Sequence, residues 1–577
     1  MNEIKPVEKV FDAVLHQDFR QLINYSAETY KDTDAFIIKH KINKKEISYE
    51  HITFEDFRNQ VNWLGSGMLK RGWKDKRIAV IGKNCYQWML GYFATLCGLG
   101  ICVPLDRGLP YDELESSLIR SHADILIFDS GLKDVVAELQ TKNSTNVSQY
   151  ICMEQLDGFE DLNALMEEGQ KAMDSGFDEY LTLPLDGKKV TILLFTSGTT
   201  SMAKAVMLSQ YNILANVYAM LMTQDFHHGD VNMAFLPYHH TFGSTGQIVM
   251  IASGITSAYC DGLKYIQKNI VEYKISLFVC VPLLIESIYK KIMATVKKEG
   301  LEKKIAFGLR LSKFLLKLGI DKRRKIFKPI LDQLGGELRY VISGASAIDP
   351  VALQAFNDFG ITAVQGYGMT EASPVLCAEN TWNRSTDSIG KPLPDIELRI
   401  DQPNEEGIGE LIARGPNIMA GYYENEDETR KVLVDGWLHT GDLARVDENG
   451  FVYICGRKKN VIVLKNGKNV YPEELETLIA NLPYVEENMV FGQPRHDSSD
   501  ERDLALCAKI VYNKDYMKEA YGTDNPDKIN GIIKQDIQGI NEDLPVYKQM
   551  LRVITTDEPM IKTTTGKVKR FEEVKKL

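Results

Sequence analysis

The sequence predicts an α/β protein: a large N-terminal domain of layered, mostly parallel sheets with helices between them, followed by a small C-terminal α+β domain. Three observations carry this. From Ile78 onward, strand-like and helix-like segments alternate, the pattern of parallel sheets covered by helices. Beyond Gly456 the pattern changes to shorter strands and helices. The 577 residues also exceed what one hydrophobic core usually supports. The expected division is 1–456 and 457–577.

The alternation begins with the strand-like IAVIG at Ile78, a helical stretch from Cys85 to Leu99, and the strand-like ICVPLD. A helix from Tyr111 to Ala123 and the strand-like DILIFD complete a first α/β layer over roughly residues 50–130. Residues 130–190 are polar and acidic without a clear period, and read as connecting structure ending in the strand TILLFT at 191–196. Residues 290–328 hold fourteen Lys and Arg against Glu299, Glu302 and Asp321, a basic helical insertion. With Ile305, Leu309, Leu311, Leu315 and Leu316 interleaved, this segment suits peripheral contact with an anionic membrane surface, and equally a solvated helical face. In the C-terminal part VIVL at 461 reads as a strand and Pro472 fits a first helical position. A later helix carries Ile529, Ile532, Ile533, Ile537 and Ile540 on one face.

The hydrophobic share of 44% and charged share of 25% are those of an ordinary globular protein, so the chain is expected to fold. A net charge of -11 and a pI near 5.6 argue against nucleic acid as the partner, because phosphate-binding surfaces are normally basic. Nine cysteines with no CxxC pair point to reduced thiols in a cytoplasm rather than to zinc or a disulfide framework. The N-terminal residues lack the apolar core of a signal peptide. The most apolar run, Leu90 to Leu105, is too short for a bilayer and is broken by glycines and Pro104.

The chemistry is concentrated in LLFTSGTTSMAKAVMLS, from Leu193 to Ser209. A strand enters a loop of small hydroxylated residues, and an amphipathic helix follows with Ile213, Leu214, Val217, Met220 and Leu221 on one side. The loop offers backbone N–H groups around Gly198, hydroxyls of Thr196, Ser197, Thr199 and Thr200, and the cation of Lys204 to a polyphosphate. GxxxxGK[ST] is absent throughout, which excludes a Walker A loop. Further segments follow in order: LPYHHTFG at 236, SGAS at 343, QGYGMTEASP at 365 and GELIARGPNIMAGYY at 409. They continue with DGWLHTGDLA at 435, GFVYICGRKKNVI at 450, NGKNVYPEELE at 466 and PMIKTTTGKVKR at 559.

In this order and spacing the motifs closely resemble the adenylate-forming (AMP-binding) superfamily of acyl-CoA synthetases, peptide-synthetase adenylation domains and beetle luciferases. The resemblance covers residues from about 20 to the C-terminus and is nearest to the long-chain fatty acid–CoA ligases. It implies ATP, Mg²⁺ and coenzyme A, a fatty acid substrate, and a mobile C-terminal domain. Glu371 is implied as the Mg²⁺ ligand and Thr370 as a phosphate contact; taken alone, the pair would open a helix with Thr as cap. Tyr367 is implied to stack on adenine among Gln365, Gly366 and Gly368, with Gly344, Ala345 and Ser346 lining the base closely. Asp442 would take both ribose hydroxyls, its two oxygens being suitable acceptors, and Arg457 would support ribose and phosphate. Lys567 would bridge the substrate carboxylate and the α-phosphate. His240 occupies the position from which the family closes the acyl pocket, beside His239. Lys459 stands at the family's hinge, and Asn466, Gly467, Lys468 and Asn469 at its thiol channel.

The phosphate loop departs from the family's TSGTTGxPKG, with Ser201, Ala203 and Ala205 in place of Gly, Pro and Gly. That departure motivates a non-catalytic homologue as a rival reading, against which the retained Glu371, Asp442 and Lys567 argue. Transfer to an acyl carrier protein rather than coenzyme A uses the same first half-reaction and is the nearer alternative. Amino-acid activation is disfavoured, because LPYHHTFGSTG has no Asp to pair a substrate ammonium.

Overall fold

Val, Ile and Leu runs of four to six residues, bounded by polar turns, form the central strands of two large sheets. The computed structural model describes residues 4–43, 46–196, 203–465, 467–495, 503–562 and 567–577. In the eight-stranded sheet Gly100–Leu105, Lys76–Ile81, Ile125–Phe128 and Gln149–Cys152 run parallel side by side. In the nine-stranded sheet Thr256–Tyr259, Val231–Ala234, Leu277–Cys280, Tyr340–Ser343 and Thr362–Gly368 are parallel in that order. Helices between successive strands bury their apolar stripes on these sheets, as the alternation predicted.

A third, five-stranded sheet is antiparallel where it can be read pair by pair, with Gly409–Arg414 and Val452–Arg457 flanking Trp437–Val446. Residues from Ile462 to Met550 hold a core of their own. There Leu504–Tyr512 pairs antiparallel with Val485–Pro494 and parallel with Met550–Thr556. The helix Pro472–Ala480 starts at Pro472, and Pro526–Glu542 buries Ile529, Ile533 and Ile537. Among the described residues, no helix is long and apolar enough to cross a membrane.

Two sequence expectations are corrected. The 130–190 stretch is structured: it holds the helices Lys133–Lys142 and Leu162–Asp174 and the last two strands of the eight-stranded sheet, Gln149–Cys152 and the edge strand Glu160–Asp161. The hydroxyl-rich loop does not lead directly into a helix. Val190–Thr196 turns back into a second strand, Lys204–Ser209, paired antiparallel with it from Thr196↔Lys204 to Val190↔Ser209. The helix Gln210–Leu221 begins only after that, with Ser209 closing a capping box with Asn212. Ser197, Gly198, Thr199, Thr200 and Ser201 of that loop lie outside the described residues.

Candidate active site

The described motif residues converge on one cavity of about 2840 Å³ at the carboxyl ends of the parallel strands Tyr340–Ser343 and Thr362–Gly368. The first strand delivers Gly344, Ala345 and Ser346; the second delivers Gln365, Gly366, Tyr367 and Gly368, with Thr370 and Glu371 in the turn beyond. Asp442 and Arg457 come from the antiparallel sheet, Thr196 and Lys204 from the hairpin, His240 from a helix start, and Lys567 from the C-terminal part. Lys459 also lines the cavity, whereas Gly467, Lys468 and Asn469 do not. Those three lie in and beside the short hairpin Ile462–Val463/Asn469–Val470, with Lys468 Nζ 4.1 Å above the Tyr547 ring. Asn466 lies outside the described residues.

Two glycines set the backbone here by close approach. A β-carbon at Gly368 would stand 1.9 Å from the Pro374 carbonyl oxygen, where the chain turns back to pair with Val375–Ala378. A β-carbon at Gly344 would meet the Phe242 ring at 2.9 Å, so a protein side chain already requires a small residue there. Thr370 does not cap a helix: the turn Thr370–Ala372 is three residues long, starts from Met369, and has no side-chain cap hydrogen bond.

Asp442 is buried, and directly across the sheet Arg457 Nε lies 2.7 Å from its Oδ1. The Tyr367 hydroxyl donates to Asp442 Oδ2 at 2.5 Å. Burial raises the Asp442 pKa, and Arg457, Tyr367 and Lys567 oppose that rise. Burial lowers the Lys567 pKa, helped by Arg457 and resisted by Asp442 and Glu371, so its ammonium feels both carboxylates. Val568 bridges to Lys562 and Arg570 pairs with Glu476, which anchors the Lys567 segment on the C-terminal core.

Burial pushes His239 down to about 4, with the His240 ring 4.3 Å away adding to the effect and Asp106, 3.5 Å from its Nε2, opposing it. His240 is lowered by burial as well. An unfolded chain takes up a proton at His239 near the ordinary 6.5, whereas the folded protein does not until about 4. This group's stabilising contribution is therefore complete above 6.5 and lost as pH falls from 6.5 towards 4. Wild type is expected to lose more stability than His239→Gln between neutral pH and pH near 4.5, read from urea midpoints. Equal losses in the two proteins would contradict a neutral, buried His239.

Four partners of the site carry no sequence motif of their own role. The Tyr422 hydroxyl donates to Glu371 Oε1 at 2.8 Å. Lys204 Nζ lies 2.5 Å from Glu428 Oε2 and 4.9 Å above the Tyr422 ring, so its cation is committed to Glu428 in this structure. Hydrogen bonds from Lys204 and Lys431 hold Glu428 down at about 2. Glu379 accepts the N–H groups of Gln365 and Ser385, and burial pushes it up to about 7. Glu410 accepts from Lys458 Nζ at 2.8 Å and from the Gly441 N–H at 3.1 Å, with His439 Nδ1 at 3.0 Å. The only sequence signal for Tyr422 was its place at the end of GPNIMAGYY.

A buried carboxylate with an Arg and a Tyr, a second carboxylate beside a threonine, and a lysine from another domain can hold a polar anionic ligand. The helix Thr241–Ser253 turns Phe242, Thr245, Gly246, Val249 and Met250 to the same cavity, at the spacing of one helical face. Polar and apolar walls thus meet in one cavity, an arrangement that suits an enzyme acting on a charged ligand and an apolar one side by side.

The profile of the AMP-binding enzyme family matches residues 23–423, and that of the AMP-binding enzyme C-terminal domain matches 459–576. The chain belongs to the AMP-binding enzyme family. It is 31% identical over 553 residues to the peroxisomal long chain acyl-CoA synthetase 6 of Arabidopsis thaliana, covering 88% of this chain and 74% of that one. In fold it is similar to the anthranilate CoA ligase AuaEII in complex with anthranoyl-AMP, with TM-score 0.74, 19% identity and 98% of each chain covered. It is similar also to ATP-bound MatB from Rhodopseudomonas palustris, with TM-score 0.71 and 21% identity over 96% of this chain and 98% of that one.

Proposed function

We infer that this chain is an ATP-dependent long-chain acyl-CoA synthetase. The carboxylate of a fatty acid attacks the α-phosphorus of ATP, releasing pyrophosphate and forming acyl-AMP; the thiol of coenzyme A then takes the acyl group and releases AMP. One observation carries this reading: a single cavity joins Glu371, Asp442, Arg457 and Lys567 to an apolar helix face with Phe242, Val249 and Met250. The polar set suits a nucleotide and a carboxylate, and the helix face suits an alkyl chain. The family membership and the long-chain acyl-CoA synthetase relative support the same assignment.

Adenylation brings anion to anion, so the protein has to neutralise charge and hold the partners in line. Lys567 supplies a tethered cation close enough to Asp442 and Glu371 for both to oppose the lowering of its pKa. Asp442, fixed by Arg457, accepts from ribose hydroxyls, and Tyr367 lies against the base. His239 and His240 stay uncharged at neutral pH, which keeps a cation from the acyl side. The Glu371 carboxylate and the Thr370 hydroxyl give an all-oxygen donor set that fits Mg²⁺, which would supply charge neutralisation at the phosphates.

Pyrophosphate release across fatty acids of increasing chain length, followed by thioester formation on coenzyme A or on acyl carrier protein, tests the reading. Release that depends on a long-chain acid, with coenzyme A as the better acceptor, is expected. Acid-independent release, or thioester formed only on carrier protein, overturns it. Glu371→Gln removes the negative charge while keeping size, and is expected to slow acyl-AMP formation about 100-fold in a folded protein. Near-normal release by this variant would remove Glu371 from the reaction.

A further inference from the structure

The helix Glu302–Lys317 lies on the surface, lends no residue to the cavity, and carries an apolar stripe on its exposed side. Phe307 is 67% exposed, Phe314 60%, Leu318 59% and Leu311 38%. Their spacings of four, three and four residues place them on one stripe along the helix and its first residue beyond. The opposite side is anchored: Gly308 and Ser312 are buried, and Gly308 faces Ile326 and Phe327. Packing on the protein body therefore does not account for the stripe. Single exposed apolar residues are ordinary, but four in helical register with two phenylalanines are not.

On a helical wheel Lys303, Lys304, Arg310 and Lys317 flank this stripe within about a quarter turn on its two sides. All four are exposed. Residues 290–328 carry fourteen Lys and Arg against three acidic residues in a chain whose net charge is -11. An apolar stripe edged by cations is the face of a helix that lies in a membrane interface, the rings among the acyl chains and the ammonium groups at the phosphates.

We propose that the helix Glu302–Lys317 is a docking surface for an anionic phospholipid bilayer. A second copy of the chain would bring the same basic patch against itself, which charge repulsion opposes. A bilayer supplies the apolar layer and the negative charge at the depths where this helix carries their complements. The preceding helix, Pro282–Lys298, leads from the cavity to this surface: Val281 and Leu283 line the cavity, and its 17 residues span about 25 Å. A docked bilayer thus lies about one helix length from the cavity wall at Val281 and Leu283.

Flotation of the full chain with vesicles tests this, using phosphatidylcholine alone and phosphatidylcholine mixed with phosphatidylglycerol. Binding is expected to the mixed vesicles at low salt, at least about tenfold above binding to neutral ones, and to weaken as salt rises. Phe307→Ser with Phe314→Ser is expected to reduce it at least about tenfold. Lys303→Glu with Arg310→Glu is expected to reduce it by a similar factor. Vesicle-free pyrophosphate release by each variant should equal wild type, which shows that the fold is kept. No binding to the mixed vesicles, equal binding to both kinds, or undiminished binding by active variants overturns the proposal. So does a dimer, seen by light scattering without lipid, that disappears in the phenylalanine variant, since the face would then belong to a second copy.

Discussion

Lys567→Ala is expected to slow acyl-AMP formation by about 10³-fold while leaving conversion of supplied acyl-AMP and coenzyme A to thioester largely intact. Lys567 is an exposed residue at the wall of the cavity, where desolvation, then Arg457, lowers its pKa. Asp442 and Glu371 oppose that shift, so the Lys567 ammonium stands within electrostatic reach of both carboxylates. Adenylation is the step in which charge builds between a carboxylate and a phosphate, and a fixed cation there acts without solvent reorganisation. Thiol attack on acyl-AMP proceeds from a mixed anhydride already formed and does not need that cation. Rapid-quench measurement of the two half-reactions decides the matter. Equal loss of both steps in a folded variant would show that Lys567 holds the structure together rather than driving adenylation.

What could be read in the sequence follows from how far apart the interacting residues stand. The strands Lys76–Ile81, Gly100–Leu105 and Ile125–Phe128 announced themselves because each buries a continuous apolar run. The helix Leu162–Asp174 did not, because its inward face is Leu162, Leu165, Gly169 and Ala172. Small residues there allow close packing on the helix Phe54–Lys70; a β-carbon on Gly169 would stand 1.7 Å from the Trp63 carbonyl oxygen. Leu162, Leu165 and Met166 stand at helical spacing, but glycine and alanine complete the face, so the apolar stripe is short of large side chains. The strand Lys204–Ser209 was hidden because its first residues belong to a motif associated with a loop. At the site, the ordered motifs brought Glu371, Asp442 and Lys567 to one cavity. Tyr422, Glu379, Glu410 and Glu428 remained unread, since a lone acid or tyrosine has no spacing that marks its partner.

Lys459→Pro is expected to leave acyl-AMP formation largely intact and to slow thioester formation by about 100-fold. The argument starts from the ties on either side of this residue. Arg457 is held to Asp442 at 2.7 Å and Lys458 to Glu410 at 2.8 Å, both on the five-stranded sheet of the large domain. Asn460 Nδ2 donates to Glu473 Oε1 at 2.6 Å, on the helix Pro472–Ala480, whose Leu475 and Ile479 belong to the C-terminal core. Lys459 thus stands between a segment tied to the five-stranded sheet and a segment tied to the helix Pro472–Ala480. In the present arrangement Lys567 lines the cavity while Gly467, Lys468 and Asn469 do not. If the latter form the thiol channel, the C-terminal domain has to turn between the half-reactions, and we place the turn at Lys459, between the two sets of ties. Proline fixes φ near −65° and restricts Lys458 as well, so it removes that freedom. Adenylation, which uses the arrangement seen here, should tolerate this. Single-turnover rates of acyl-AMP formation and of its consumption by coenzyme A separate the cases, and equal effects on the two rates would place the hinge elsewhere.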